Sequence, residues 1–274
     1  MQKKAVIVQD VSCFGKCSAT VALPVVSGAG VECALLPTAL LSAHTGFPVY
    51  SCFDLTKEMK TVLDDWKKLG VSFDGFFSGY MLSEEQAALA LETLSLVKKG
   101  GVVLVDPVLG DDGKPYAMLS PAFSKKMLEL VSKADVITPN LTEAALLLGR
   151  EPVLSGYGEE FVEETLFALK KLGCAVPMIT GVSLEKEKIG VAYLLNGKVN
   201  YAFSIKHEGV KSGTGDVLSS FLFALLMKNT ELSKAVRLAV ELTEEAVCCG
   251  VSDYAIDFEG VLSKENCLNK ALTS

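Results

Sequence analysis

Short runs of continuous apolar, β-prone residues alternate with longer stretches of helical period along most of this chain. Val6–Val8 leads to a helical segment near Ser18–Ser27, and Cys33–Leu36 to one near Leu55–Leu69. Phe76–Ser78 precedes a helix from Ser83, where Ser83-Glu-Glu-Gln86 has the spacing of a capping box. Val102–Val105 precedes Pro121–Ser132, Val136–Thr138 precedes Thr142–Leu148, and a helix over Glu159–Leu172 feeds Met178–Thr180. Strands that are apolar on both faces, separated by helices, predict a parallel sheet covered on two sides. The rhythm breaks once. Val191–Leu195, Asn196-Gly197 and Val199–Phe203 predict a hairpin with a type I′ turn, followed by helices over Thr214–Lys228, Leu232–Gly250 and Phe258–Leu272. With no repeat or linker, the chain reads as a single α/β domain over residues 1–274: three α/β/α layers, a mostly parallel central sheet and a late β-hairpin.

Composition narrows this picture. Half of the residues are hydrophobic, which supplies a large core and rules out disorder as the dominant state. The formal charge of −7 argues against a nucleic-acid partner, which would demand a basic stripe. The N-terminal apolar run is too short for a signal peptide, and Val217–Met227 falls short of a membrane span, so the expectation is a cytoplasmic protein with no membrane partner. Eight cysteines without a C-x-x-C pair read as reduced core residues. The two histidines, His44 and His207, exclude a three-histidine metal site.

Ligands of open α/β sheets bind outside the carboxyl ends of the strands. The polar residues there are Asp10, Tyr80, Asp106, Asn140, Glu143 and Thr180, each of which also suits an ordinary turn or cap. No G-x-G-x-x-G follows the first strand, and neither a P-loop nor a G-x-S-x-G elbow occurs. The sharpest motif is Gly213-Thr214-Gly215-Asp216 at the head of an apolar helix. Two glycines let successive N–H groups converge, and the helix N-terminus adds partial positive charge, which makes an anion hole for a transferred phosphoryl group. Asp216 sits where it can accept a proton from an attacking hydroxyl, though a carboxylate at a helix N-terminus should be a weak base; a glycine turn capped by Asp216 is the plainer alternative. Asn140-Leu-Thr-Glu143 places two polar side chains a turn apart. With Asp106 they can hold magnesium through oxygen, or they can form a capping box and nothing more.

Gly213-Thr-Gly-Asp216 together with Asn140-x-x-Glu143 resembles the ribokinase-like superfamily of small-molecule kinases, and within it the pyridoxal kinase branch. Val8-Gln-Asp10, Ser42-Ala-His44-Thr45-Gly46, Ser78-Gly-Tyr80, Val105-Asp-Pro107-Val108 and Ala134–Glu143 carry the likeness over nearly the whole chain. The resemblance implies ATP-dependent phosphorylation of the 5′-hydroxymethyl group of pyridoxal, pyridoxine or pyridoxamine. It implies Asp216 as base, Gly213, Thr214 and Gly215 as anion hole, and Asp10, His44, Thr45 and Tyr80 at the pyridine ring. Asp106, Asn140, Glu143, Thr180 and Lys211 would face the nucleotide, with Asp106 and Glu143 toward Mg2+ and the adenine near Ile205–Lys211. It also implies a homodimer and leaves a requirement for a monovalent cation open.

Gly110-Asp-Asp-Gly113-Lys-Pro-Tyr116 has the glycine spacing of a mobile lid or a plain surface turn. The segment Val11-Ser-Cys-Phe-Gly-Lys-Cys17 departs from the His-Val-Gly-Asn-like run of many relatives, and Cys13 and Lys16 there bear either on vitamer fit or only on the loop. Two other functions stay in view: hydroxymethylpyrimidine kinase activity, and a vitamer-binding protein without catalysis.

Overall fold

The computed structural model describes residues 2–117, 120–207, 213–250 and 256–263. Along the chain the elements are β1 (Lys4–Ser12), α1 (Ala19–Gly28), β2 (Glu32–Leu41), β3 (Cys52–Asp54), α2 (Thr56–Leu69), β4 (Phe73–Ser78), α3 (Glu84–Thr93) and β5 (Val97–Val105). There follow β6 (Gly110–Asp111), β7 (Lys114–Pro115), α4 (Pro121–Val131), β8 (Val136–Ile137), α5 (Leu141–Leu147) and α6 (Glu159–Lys170). The last are β9 (Val176–Val182), β10 (Lys188–Leu195), β11 (Lys198–Ile205), α7 (Thr214–Met227), α8 (Leu232–Cys249) and α9 (Phe258–Ser263).

Among the described residues nine strands form one sheet in the order β11-β10-β9-β8-β5-β4-β1-β2-β3. The run from β9 to β2 is parallel, while β10, β11 and β3 add antiparallel margins. The alternation of side chains along β1 explains the layering. Ala5 and Ile7 enter a core built with α1, α7, α8 and α9, whereas Val6 and Val8 enter the opposite core with α2 to α6. The expected α/β/α architecture and the late hairpin are therefore both present. Asn196 and Gly197 take φ values of 52° and 75°, as a type I′ turn requires.

Local expectations were met unevenly. Ser83 accepts from the Gln86 N–H at 3.2 Å, but the Gln86 side chain does not return the bond to Ser83. It accepts from Leu82 N and donates to Thr38 O, joining β2 to the start of α3, so the predicted capping box is only half formed. The glycine-marked segment after β5 is a small hairpin, with Asp112 and Gly113 at φ 48° and 75° between β6 and β7. The edge strand β3, three exposed residues long and too short to show a period, was not foreseen. Of the last helix expected to reach Leu272, the part beyond Ser263 lies outside the described residues.

Candidate active site

Four acidic side chains from different parts of the sequence meet at the carboxyl end of the sheet. Asp10 lies near the end of β1, Asp106 follows β5, Glu143 opens α5 and Asp216 opens α7. The series is electrostatically continuous: Asp216 feels Asp10, Asp106 feels Asp216, and Glu143 feels Asp106. Burial comes first among the causes at each, and like charge adds to it. Asp106 is pushed up to about 7 and Asp216 to about 6, while Glu143 is driven well above the carboxylate range. Asp10 is also raised, although the hydroxyls of Ser18 and Ser12 hold it down in part. Burial and the charge of Asp10 thus raise Asp216, against the expectation of a weak base at a helix N-terminus, and the Ser18 N–H lowers it only in part.

Each carboxylate is positioned by its own neighbours. Ser219 lies one turn beyond Asp216 on α7, and its hydroxyl donates to Asp106 Oδ2 at 2.9 Å and lies 3.1 Å from Thr138 Oγ1. A single helix therefore carries Asp216 and aims Asp106. Glu143 accepts from Asn140 N at 2.8 Å and from Leu109 N at 3.0 Å, one bond to each carboxylate oxygen. Asn140 returns the cap to Glu143 N and donates to Gly110 O, which ties α5 to the β6–β7 hairpin. The capping-box alternative is thus realised, and among the described residues each Glu143 oxygen accepts one of these two bonds.

The glycine turn is real and crowded. Gly213 has φ 99°, and a Cβ there would lie 2.9 Å from the carbonyl oxygen of Lys16. Gly215 is exposed and Thr214 half-buried above the first turn of α7. Against this turn lies the segment from Val11 to Cys17. Ser18, a non-glycine residue at φ 48°, sets its backbone N–H toward Asp216 and its hydroxyl toward Asp10, and each lowers the carboxyl group it faces. Cys17 donates to Ser12 Oγ at 3.2 Å, and burial near Asp216 and Asp10 pushes its thiol up to about 12, which disfavours the thiolate. Lys16 turns away to Glu259 and lies 5.4 Å over the Phe258 ring.

The ring-pocket candidates are less uniform. Tyr80 is half-buried, meets Tyr116 edge to face at 6.5 Å, and is pushed up to about 12 by burial. His44 accepts from Gly46 N through Nδ1 at 3.1 Å and packs on Phe47 and on Gly15, where a Cβ would sit 2.2 Å from its ring. Thr45 is exposed beside it. Thr180 lies in β9 opposite Asn140, its N–H on Pro139 O. Lys211 lies outside the described residues, as does most of the expected adenine groove. Sequence reasoning missed Ser18, Ser219, Thr138 and Tyr116. Ser219 left a trace as a hydroxyl three residues after Asp216 within an apolar helix, and Tyr116 as the end of the glycine-spaced Gly110–Tyr116 segment.

Comparison with known proteins shows where this arrangement belongs. A model of the family described as phosphomethylpyrimidine kinase matches residues 29–255. The chain belongs to the phosphomethylpyrimidine kinase family. A Bacteroides thetaiotaomicron protein provisionally named a phosphomethylpyrimidine kinase, solved with pyridoxal, is 32% identical, with TM-score 0.86 over 100% of this chain and 95% of that one. Pyridoxal kinase from Lactobacillus plantarum is 29% identical with TM-score 0.90, over 98% of this chain and 99% of its own. The hydroxymethylpyrimidine/phosphomethylpyrimidine kinase of Aquifex aeolicus is 29% identical over 206 residues, 73% of this chain and 76% of that protein. The chain is accordingly an enzyme of the ribokinase-like superfamily, a phosphotransferase of pyridoxal-kinase type for B6 or thiamine precursors. Among the described residues no helix is long and apolar enough to cross a membrane.

Proposed function

We propose that this kinase transfers the γ-phosphoryl group of ATP to the 5′-hydroxymethyl group of a B6 vitamer. The observation that carries the reading is the placement of Asp216 at the head of the glycine turn, on the helix that also orients Asp106. The hydroxyl oxygen attacks the γ-phosphorus as its proton passes to Asp216, and ADP leaves on the opposite side. A group near 6 is well matched to that task, being mostly ionised at neutral pH yet able to hold a proton transiently. The N–H groups of Gly213 to Asp216 face the charge that builds on the phosphoryl oxygens.

Asp106 and Glu143 fit a magnesium ion. Both are buried carboxylates raised first by burial and then by a neighbouring carboxylate, Asp216 at Asp106 and Asp106 at Glu143, and a hard cation with oxygen preference would offset both costs. Magnesium would neutralise negative charge on the nucleotide phosphates. Asp10, His44, Thr45 and Tyr80 would line the ring site, with Tyr116 beside Tyr80, and Asn140, Thr180 and Lys211 would serve the nucleotide side. The protein would act in the cytoplasm as a homodimer. In favour of a dimer, the β3 edge and its surroundings expose Phe14, Leu40, Val49, Tyr50 and Phe53. Light scattering reads the mass directly.

A second reading, hydroxymethylpyrimidine kinase activity, is favoured by the Aquifex relative. Coupled ADP release measured side by side on pyridoxal, pyridoxine, pyridoxamine and hydroxymethylpyrimidine decides between the two. A higher kcat/KM for the pyrimidine overturns the B6 assignment, and tight vitamer binding with no turnover on any alcohol overturns catalysis altogether. Asp216→Asn should abolish turnover while nucleotide still binds, and full activity of that variant removes Asp216 from the mechanism.

A further inference from the structure

A group of donor atoms distinct from the four carboxylates lies where β11 leaves the sheet. Glu244 and Cys248 are four residues apart on α8, so both project from one face of that helix. The ring of His207, just past the end of β11, comes down onto them: its Nε2 lies 3.4 Å from Glu244 Oε1 and 3.4 Å from Cys248 Sγ. All three donor atoms lie within 4.8 Å of one another. His207 and Glu244 are half-buried, and Cys248 is exposed on the solvent side.

Hydrogen bonding accounts for only part of this convergence. If Nε2 carries the ring proton it can donate to Glu244 but cannot accept from the thiol. If Nε2 is bare it can accept from the Cys248 thiol, but its lone pair then faces the Glu244 carboxylate. A cation satisfies all three donors at once. The spacing also suits one: with Zn–N and Zn–O bonds of about 2.1 Å, the edge of a coordination tetrahedron is about 3.4 Å, and with a Zn–S bond of about 2.3 Å it is about 3.6 Å. Both measured separations from Nε2 fall within a few tenths of an ångström of those edges.

We propose that His207, Glu244 and Cys248 bind a borderline divalent cation of the zinc type, with the fourth position open to solvent. One imidazole, one carboxylate and one thiolate is a mixed N/O/S set, which favours zinc over the hard magnesium ion of the kinase reaction. Binding releases the thiol proton to solvent, because the metal takes the thiolate. The bound ion would clamp the exit of β11 to α8, at the point from which the chain runs on to Gly213. The site is independent of substrate choice and of the role of Asp216.

Cobalt(II) is the direct probe, added to tag-free, reduced protein. The expected result is one equivalent bound, with a near-ultraviolet thiolate-to-cobalt band and the intense visible bands of a four-coordinate ion, both displaced by one equivalent of zinc. Cys248→Ser should remove the charge-transfer band. His207→Ala and Glu244→Gln should each weaken zinc binding about tenfold or more, since even the loss of a supporting group around a metal costs that much. A Cys13→Ser, Cys52→Ser double variant, which removes two other exposed thiols, should keep the full spectrum. Absence of the thiolate band, its survival in Cys248→Ser, or undiminished zinc binding in His207→Ala overturns the proposal. Circular dichroism of each variant separates lost metal binding from lost folding, and the mild Glu244→Gln change supplies the test if His207→Ala unfolds.

Discussion

Replacing Asp106 by asparagine should make the protein more stable at pH 8 while impairing it as a kinase. The carboxyl group is raised from 3.8 to about 7, first by burial and then by Asp216. Its unfolded counterpart titrates near 3.8, so between these values the folded chain binds more protons than the unfolded one. Stability must therefore fall as pH rises through this window, and the cost is complete above about 7. About three pH units at about 1.4 kcal/mol each sets a ceiling near 4 kcal/mol. Asparagine keeps the shape and can still accept from the Ser219 hydroxyl, now 2.9 Å from Oδ2. Its amide N–H groups need partners, however, at a cost of about 1–3 kcal/mol if they find none. A net gain of about 1–3 kcal/mol remains, or roughly 2–12 °C in Tm for a domain of this size. Thermal unfolding of both proteins at pH 5 and pH 8, without nucleotide or divalent cation, reads this directly. The gain should appear at pH 8 and shrink toward zero at pH 5. A Tm difference that ignores pH, or a loss at pH 8, would refute the view that Asp106 is held as a costly buried charge.

Ser219→Ala removes the hydroxyl that favours ionised Asp106; at about 1.5–3 kcal/mol for a bond to a charged group, the acid limb of kcat/KM against pH should move up by about 1–2 units and activity should recover at alkaline pH. An unmoved limb would show that Asp106 need not ionise for turnover. Gly213→Ala adds a Cβ at φ 99° against the Lys16 carbonyl, so kcat should fall at least about tenfold and stability by about 1–3 kcal/mol, as fluorescence-monitored denaturation and steady-state kinetics would report. Ser18→Ala deletes the hydroxyl facing Asp10 but keeps the N–H facing Asp216; KM for the heterocyclic alcohol should rise about tenfold while kcat changes little. The opposite split would place Ser18 on the catalytic rather than the binding side.

These effects arise at different levels of organisation. The alternation of apolar runs and helical periods was enough to read the α/β class, the parallel centre of the sheet and the late hairpin. Each of those signals is local: side-chain period, a cap residue, an Asn-Gly turn. The glycine turn at Gly213 and the Asn140/Glu143 cap were legible for the same reason, since backbone conformation and reciprocal capping involve near neighbours. Even the departures follow this rule. Gln86 has the right spacing for a capping box, yet the backbone of Leu82 and Thr38 competes for its amide, and Thr38 is brought there only by β2.

What the tertiary structure alone decided is the chemistry of the charged groups. Asp10, Asp106, Glu143 and Asp216 belong to four separate elements, and nothing along the chain announces that they repel one another. Their basicity is set by how much water each loses and how close the others come, quantities that exist only once the sheet is assembled. The same holds for Ser18 and Ser219, ordinary serines in the sequence, and for His207, Glu244 and Cys248, whose donor atoms converge only when α8 packs on β11. Local periodicity determined what the elements are; burial and long-range proximity determined which of their polar residues can do work.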